Sequence, residues 1–431
     1  MMLGIIFIIF AITLFLGVPI AVSLGITALS AAILNPALPT TAAYAFRSMV
    51  TALDTFTLLA IPLFILSGNI MAKGGISKKL YSFFSYFIGN KTGGLPIAAI
   101  ITCLFYGAIS GSGPATVAAV GTMTIPYLAE LGYDKKFIVS MIAVAGGLGV
   151  IIPPSIPFVV YGQSSGVSTG DLFIAGVLPG VLIAACMIIY VYFYFKKNGE
   201  DKEKIESSIK ELKSQGFMKV LKDSFWALLS PVIILGGIYS GVVTPTEAAN
   251  ISVIYALFVS LFIYKSIGFK DLSSVIRDSV ATSVPILLVI STASVFGKVL
   301  TLMQAPTLIG SAITGAFTTK LSILLIINLM LLFVGMVMDT TPAILILVPI
   351  LLPIVQSIGV NPIHFGVIMT VNLAIGFVTP PIGLNLFVAN SLTGLSIIDI
   401  SKYAIPFIIA FLVALMMITF IPDISLILIG R

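Results

Sequence analysis

The chain has 431 residues, of which 59% are hydrophobic and only 9% are charged, and its mean hydropathy is +1.18. Soluble domains carry about 25% charged residues, so the composition excludes a soluble globular protein and predicts an all-α polytopic membrane protein. Lys and Arg exceed Asp and Glu by 22 − 16 = 6. Because this excess lies in loops, it bears on membrane topology, and we expect no nucleic acid partner.

Apolar runs long enough to cross a bilayer recur along the chain. A crossing needs about 20 apolar residues. The run at 3–33 is too long for a signal-peptide core and has no basic residues before it, so we expect it to be the first membrane helix. The predicted crossings are residues 3–33, 52–72, 137–165, 172–195, 225–243, 247–265, 282–300, 362–392 and 402–421.

Two further apolar blocks are interrupted in the middle, 95–130 by Ser110–Pro114 and 321–356 by Asp339–Pro342. Each half has about 15 residues and would form about 22 Å of helix at 1.5 Å per residue. Such a helix is too short for a hydrocarbon core of about 30 Å. We therefore expect each block to be a re-entrant hairpin that enters and leaves the membrane on the same side.

Two of the predicted crossings contain prolines that interrupt a continuous helix. The run GGLGVIIPPSIPFVVYG (146–162) includes Pro153 and Pro154, which remove successive backbone donors, and GFVTPPIG (376–383) repeats the pattern. Freed carbonyls at membrane depth are tolerated only where protein buries them or where they line a polar cavity. Paired interruptions in corresponding halves point to a transporter binding site. We expect broken helices over 137–165 and 362–392.

The basic residues predict the orientation of the chain. With the N-terminus in the cytoplasm, Arg47, Lys320 and Arg431 lie outside, and Lys298 lies in a membrane segment, where we expect it to extend to the outer interface. The other 22 − 4 = 18 basic residues lie inside, as the positive-inside rule requires. The polar segment 196–224 alternates Lys with Glu and Asp, and we favour a solvated linker over a lipid-binding or docking helix.

An internal repeat relates the two halves. When 339–410 is laid over 112–183 with one gap, Gly376 falls on Gly149, Pro380 on Pro153, and Asp399 on Asp171. A duplication with one extra crossing between the copies turns the second copy upside down, which is the inverted-repeat design of secondary transporters. The predicted domains are a first repeat at 1–195 (scaffold helices 1–72, hairpin 95–130, broken helix 137–165), a cytoplasmic linker and inverting helix at 196–246, and a second inverted repeat at 247–431 (hairpin 321–356, broken helix 362–392).

Small and polar residues at the hairpin tips and helix breaks are the candidate site. A half-helix that starts at a tip points its free N–H groups and positive dipole end inward, which suits a carboxylate. Hydroxyls and freed carbonyls suit a hard cation such as sodium. The substrate candidates are Ser110, Ser112, Pro154, Ser155, Asp339, Thr340, Thr341 and Asn385; the sodium candidates are Ser110, Ser112, Gly149, Ile152, Pro154, Gly335, Gly376, Thr379 and Ile382.

Structural roles compete with these assignments. The serines and threonines could simply cap half-helices, and Asp339 could be a capping carboxylate and not a functional acid at membrane depth. His364, the single histidine, is expected at the surface beside an outer loop. An intramembrane enzyme is disfavoured because H-E-x-x-H is absent, Ser112 between its glycines does not match G-x-S-x-G, and no histidine partner for that serine is evident. An ion or anion channel remains an alternative, since broken helices also line pores.

Five stretches resemble signatures of one family in the expected order: LDTFTLLAIPLFILSGNIMAKGGI (53–76), GAISGSGPATVAAVG (107–121), GGLGVIIPPSIPFVVYG (146–162), TPTEAA (244–249) and GFVTPPIG (376–383). The chain is similar to the large (M) membrane subunit of tripartite ATP-independent periplasmic (TRAP) transporters, in the ion transporter superfamily.

The resemblance implies import of an organic acid anion, such as a C4-dicarboxylate or a sialic acid, driven by Na+ across the bacterial inner membrane. It implies a small four-helix (Q) subunit and a periplasmic substrate-binding protein as partners, with membrane lipid around them. It also implies an elevator motion of hairpins and broken helices against a scaffold. Since nothing precedes Leu3, we expect the small subunit to be a separate chain.

Overall fold

The computed structural model describes residues 2–35, 38, 40–317 and 319–430, and the regular structure of these residues is entirely helical. The helices are α1 (Met2–Phe15), α2 (Ile20–Leu34), α3 (Ala42–Leu53), α4 (Ala60–Lys73), α5 (Ile76–Ile88), α6 (Gly94–Ser110), α7 (Gly113–Glu130), α8 (Lys135–Ala145), α9 (Ile156–Ser165), α10 (Thr169–Asn198), α11 (Lys202–Ser214), α12 (Phe217–Tyr239), α13 (Pro245–Phe258), α14 (Phe269–Leu302), α15 (Ala305–Ala316), α16 (Lys320–Val337), α17 (Thr340–Ser357), α18 (Pro362–Gly376), α19 (Leu384–Thr393), α20 (Ile397–Phe420) and α21 (Asp423–Leu426).

Short 3₁₀ and π segments extend several of these helices. The 3₁₀ segments are Phe56–Leu59, Gly146–Val150 and Ile427–Ile429, and Val259–Ile263 is a π segment. In the described part of the chain, eight helical segments are long and apolar enough to cross a membrane. The prediction of an all-α polytopic membrane protein is confirmed.

The predicted single helix over 3–33 is wrong, because the chain folds back at Gly17 and Pro19. Gly17 has φ +77°, and α2 begins directly after Pro19. The Phe10 ring of α1 stacks on Phe296 at 5.8 Å, and Gly25 of α2 lies against Thr292, one turn away on α14. In a straight helix, residues 10 and 25 would be about 22 Å apart along the axis. The start of α1 therefore lies at the same end as the start of α3, next to Arg47, which the charges place outside, and a cytoplasmic N-terminus no longer follows from a single crossing.

Helices α2, α3, α4, α13 and α14 form a group that we call the scaffold. Its central member is α14, a helix of 34 residues. Helices α2, α3 and α4 pack along it, and α13 packs on α4. At the end predicted to be cytoplasmic, Lys73 and Asp278 form an ion pair at 3.2 Å, and one turn earlier Asn69 donates to Ser279 at 2.9 Å. These contacts fix α4 to α14 at the same end.

The hairpins and broken helices of the two halves pack against one another. Helices α6 and α7 form the first helical hairpin, and α16 and α17 form the second. The first hairpin packs on α8 and α19, whereas α16 packs on α18 and α17 packs on both α18 and α9. The arms have 17 or 18 residues and exceed the predicted length of about 15, so they reach about 25–27 Å.

The linker is not simply solvated, contrary to the interpretation we favoured. Helix α11 buries Ile205 and Ile209 against the protein, and Ile209 lies against Gly89 at the end of α5. The Tyr127 and Ser208 hydroxyls are 2.7 Å apart, joining α7 to α11. Two isoleucines four positions apart form one apolar stripe, which is enough to dock an otherwise charged helix.

Several contacts join segments that are distant in the chain. Each contact links two segment ends that the charge pattern places on the same side of the membrane. Lys136 and Asp399, both predicted inside, form an ion pair at 3.2 Å. Tyr161 and Pro362, both predicted outside, are joined by a hydrogen bond of 2.6 Å from the phenol to the carbonyl. These contacts agree with the predicted placement of the joined segment ends on common sides of the membrane. Arg431, which the charge count places outside, is beyond the described residues.

Candidate functional site

The first hairpin tip presents a cluster of three hydroxyl residues. The Ser110 and Thr116 hydroxyls are 3.0 Å apart, and both donate to the Ser112 carbonyl, at 3.3 and 2.8 Å. The Ser112 side chain caps α7 by accepting from the Ala115 N–H at 3.5 Å. Ser110 and Thr116 are buried, so the tip concentrates hydroxyl and carbonyl oxygens away from bulk solvent.

The first helix break is pressed against this tip. Gly149 lies so close to Gly107 and Ser112 that a Cβ on Gly149 would be 2.7 Å from the Ser112 carbonyl oxygen and would collide with the Thr116 hydroxyl. Beyond the break, the Ile156 N–H donates to the Gly111 carbonyl at 3.4 Å. Close approach of two backbones at the tip therefore requires glycine at position 149.

The other candidates of the first break are Pro154, Ser155 and Ile152, and each has a different environment. A Cβ on Gly111 would be 2.8 Å from the Pro154 carbonyl oxygen, so Pro154 does lie at the tip. Ser155 is buried and caps α9, donating to the Val150 carbonyl at 2.5 Å and accepting from the Phe158 N–H at 3.3 Å. The Ile152 side chain packs on Gly180 of α10. Ser155 thus performs the structural role weighed against substrate binding.

The second hairpin tip is capped by a carboxylate. Asp339 Oδ1 accepts from the Thr340 N–H at 2.6 Å and from the Thr340 hydroxyl at 3.2 Å, at the start of α17. Thr340 and Thr341 are buried. Asp339 therefore caps the half-helix, as one of the two sequence interpretations proposed, and it places a negative group at the positive end of the helix.

The second break meets this hairpin through an equivalent glycine pair. A Cβ on Gly376 would collide with the backbone of Gly335, in α16. Gly335 precedes Pro342 by seven residues, as Gly107 precedes Pro114. The Ile382 N–H donates to the Met336 carbonyl at 3.3 Å, and the Thr379 hydroxyl donates to the Ile375 carbonyl at 2.8 Å. Gly335, Gly376 and Ile382 thus come together, whereas Thr379 bonds within its own segment.

Asn385 connects the second break to the first half. Its amide nitrogen donates to the Ala143 carbonyl at 2.9 Å. Its Oδ1 lies 3.2 Å from where a Cβ of Gly113 would be and has no hydrogen-bond partner among the described residues. The side chain is fully buried. An acceptor of this kind next to the first tip is available to a cation or to a donor group of a ligand.

Several buried polar residues were not among the site residues predicted from the sequence. Thr116 was recognisable from its position one turn after Ser112 in a helix that starts at the tip. Asn372 donates to Asn328 Oδ1 at 2.7 Å and joins α18 to α16. No local sequence signal marks these two asparagines, because each lies in an apolar run and the hydrogen-bond partner of each is the other, which is distant in the chain.

The expected surface position of His364 is wrong. The side chain is buried, and its Nε2 lies 3.4 Å from the Thr419 carbonyl of α20. His364 follows an outer loop by only two helical residues, but α20 covers it. Its burial is therefore a consequence of helix packing and not of its place in the sequence.

The site offers oxygen ligands and no transition-metal cluster. Among the described residues, no group of three or more His, Cys, Asp or Glu side chains is close enough to hold a metal ion. Each tip combines hydroxyls or a carboxylate with carbonyls from a helix break. Hard cations such as Na+ take oxygen ligands, and half-helix N-termini suit anions. The two tips fit both kinds of ligand.

Comparison with known proteins assigns the family. Residues 7–424 match the family model described as the DctM component of the tripartite ATP-independent periplasmic transporter. The chain is 44% identical over 417 residues to the isethionate TRAP transporter permease protein DctMQ of Oleidesulfovibrio alaskensis, covering 97% of this chain and 65% of that protein. It is 40% identical over 373 residues to the C4-dicarboxylate TRAP transporter large permease protein DctM of Pseudomonas aeruginosa, covering 86% of each.

A third relative differs in the substrate it is named for. The sialic acid TRAP transporter large permease protein SiaM of Vibrio cholerae is 34% identical over 415 residues, covering 96% of this chain and 95% of that protein. The chain therefore spans about two thirds of the first relative and most of the other two. Since the family model covers nearly the whole sequence, the chain belongs to the DctM component family of tripartite ATP-independent periplasmic transporters, whose members are large permeases and not enzymes.

Proposed function

We propose that this chain is the large membrane subunit of a TRAP transporter that imports an organic acid anion together with Na+ across the bacterial inner membrane. Its proposed partners are a small four-helix membrane subunit and a periplasmic substrate-binding protein. The observation that carries the proposal is the paired geometry of the site. Each hairpin meets one helix break through a glycine pair, and Asn385 bridges the second break to the first tip.

The same pairing supports the proposed inverted repeats. Gly107 contacts Gly149 in one half and Gly335 contacts Gly376 in the other, at positions that the sequence alignment matches. We propose that both hairpins are re-entrant and that they move with α8, α9, α18 and α19 as one body. The scaffold around α14 would remain fixed in such an elevator motion. Inverted repeats with broken helices and a site at their interface are typical of secondary transporters.

The relatives' names support a small organic anion as the substrate class. They name isethionate, C4-dicarboxylates and sialic acid, which all carry a carboxylate or a sulfonate. The N-terminal ends of α7 and α17 point their free N–H groups at the tips, where such a group would bind. In this proposal Na+ is a second cargo, held by hydroxyl and carbonyl oxygens at each tip.

We propose at least two Na+ ions per substrate, one for each tip. Moving one negative charge inward against an inside-negative potential costs about 2.3 kcal/mol per 100 mV. One Na+ only neutralises a monoanion, whereas two give a net positive charge that the membrane potential drives inward. For a dianion, two Na+ restore neutrality.

Sodium coupling is tested with a matched pair of threonines in α7. Thr116 and Thr122 each donate to the carbonyl four residues earlier, at 2.8 and 2.6 Å, but only Thr116 also contacts Ser110 at the tip. Loss of one ligand hydroxyl costs about 1–2 kcal/mol, so Thr116→Val should raise the half-saturating Na+ concentration roughly 5- to 30-fold. Thr122→Val, at an exposed position, should leave it unchanged.

The assay uses the complete three-part complex in proteoliposomes, with succinate, isethionate and a sialic acid as candidate substrates. Uptake that saturates and requires an inward Na+ gradient supports the transporter. Uptake of all three acids that is unchanged in sodium-free buffer would refute the coupling. A current proportional to voltage without saturation would instead support the channel alternative.

A further inference from the structure

A cavity of about 410 Å³ lies between the scaffold and the parts proposed to move. Helices α3 and α14 form one wall, with Tyr44 and Lys298, and α9 and α17 form the other, with Gln163 and Leu345. The volume is within the range of about 300–1,000 Å³ typical of small-molecule sites. No Asp or Glu lines the cavity among the residues that the structure describes.

Among the described residues, the groups in contact with the Lys298 ammonium are neutral. Its Nζ donates to the Ser48 hydroxyl at 3.1 Å and lies 5.9 Å from the centre of the Tyr44 ring. The ion pairs of the described residues involve other lysines. Lys298 is exposed and forms none of these ion pairs, so its charge is open to an anion that enters the cavity it lines.

The cavity lies between the outer helix ends and the second hairpin tip. Tyr44, Ser164 and Thr301 are all at helix ends that the charge pattern places outside. Leu345 lies five residues after Thr340, so the cavity wall begins about 7.5 Å along α17 from the tip. An anion that arrives from the outer side would meet Lys298 before it reaches Thr340.

We infer that this cavity is an outer vestibule that binds the carboxylate or sulfonate group of an incoming organic anion, with Lys298 as the charged group and Gln163 and Thr301 as polar neighbours. This inference rests on the proposed import of an organic anion. It adds a site separate from the hairpin tips. Lys298 was expected to extend to the interface; in the structure its side chain is exposed and lines this cavity.

The first test measures the charge of the vestibule without transport. A Ser164→Cys reporter is introduced in a background with Cys103→Ser and Cys186→Ser. The complete complex is then labelled from outside with an anionic sulfonate and a cationic ammonium methanethiosulfonate reagent. A positive charge near the reporter attracts the anionic reagent and repels the cationic one, so Lys298→Gln should lower the anionic-to-cationic rate ratio, by about tenfold for unit charges acting across about 6 Å of water. Lys298→Arg should preserve the ratio.

Lys320→Gln is the matched control, because it removes one outer positive charge from a residue that does not line this cavity. The ratio should not change in that variant. An equal ratio in the parent and Lys298→Gln proteins would overturn the inference, whatever the uptake assay shows.

The second test asks whether an anion occupies the vestibule. Succinate, isethionate or a sialic acid is added with Na+ at constant ionic strength. At least one of them should slow labelling of the Ser164→Cys reporter, with Lys298→Gln abolishing the protection and Lys298→Arg keeping it. Protection no greater than that by chloride, or protection that survives Lys298→Gln, would contradict the inference. A complex that shows protection but no uptake would refute the proposed import and leave the anion site standing.

Discussion

At the scale of single residues, the glycine pairs determine how closely each helix break approaches its hairpin. Gly376→Ala would place a methyl group on the Gly335 backbone, which cannot turn aside as a side chain can. Such overpacking typically costs about 1–3 kcal/mol. We expect Gly376→Ala to lower the midpoint of thermal unfolding in detergent, followed by the fluorescence of Trp226, and to abolish Na+-dependent uptake.

Gly236→Ala is the control for this prediction. Gly236 lies inside α12, and a Cβ there would meet no atom within 4 Å outside its own helix and neighbours. Alanine is the better helix former, so this variant should be as stable as the parent or slightly more stable. If Gly376→Ala unfolds at the parent's midpoint, the two backbones do not make the close approach seen in the structure.

At the scale of elements, Glu200 holds the linker to the first hairpin. Its carboxylate accepts from the Gly93 N–H at 2.7 Å and from the Tyr133 hydroxyl at 2.7 Å. Loss of these charge-assisted bonds costs about 1.5–3 kcal/mol. When the linker opens and closes faster than trypsin cleaves it, the cleavage rate follows the fraction of molecules with an open linker. Glu200→Ala should therefore speed tryptic cleavage at 202–213 roughly 10- to 150-fold. Glu206→Ala, at an exposed position on α11, should not change the rate.

This attachment should also depend on pH in one direction. Burial first, and then the hydrogen bond to Glu200, raise the pKa of Tyr133 above its ordinary value of 10.0. A raised pKa means that the folded state holds the proton more tightly, so its contribution is complete below about pH 10 and is lost as the pH rises further. The rate of cleavage should therefore be flat from pH 7 to 9 once corrected for trypsin activity. A marked rise within that range would contradict the assignment.

At the scale of the whole molecule, the fold-back of α1 on α2 changes the predicted topology. In a background without Cys103 and Cys186, Lys204→Cys should be labelled only from the cytoplasm and Ser357→Cys only from outside. Met2→Cys should behave like Ser357→Cys, because the turn at Gly17 and Pro19 returns the chain to its starting side. Labelling of Met2→Cys only from the cytoplasm would show that α1 and α2 form one crossing.

The sequence by itself determined the class of protein, the two helix breaks, the hairpin tips and the family. These features depend on local chemistry: Pro153 and Pro154 remove backbone donors wherever they stand, and Ser112 and Asp339 cap the next residues in the chain. The charge pattern likewise acts on each loop separately. Such signals need no knowledge of what packs against them.

Only the tertiary structure decided which distant residues meet. The fold-back at Gly17 lies in a run as apolar as any straight crossing, so hydropathy cannot reveal it. Docking of Ile209 on α5, the Asn328–Asn372 pair and the burial of His364 by α20 each depend on a partner far away in the chain. The same is true of Lys298, since it lines a cavity only because α3, α9, α14 and α17 converge there. Hydrophobic burial is non-directional, and an apolar face therefore does not specify which helix will cover it.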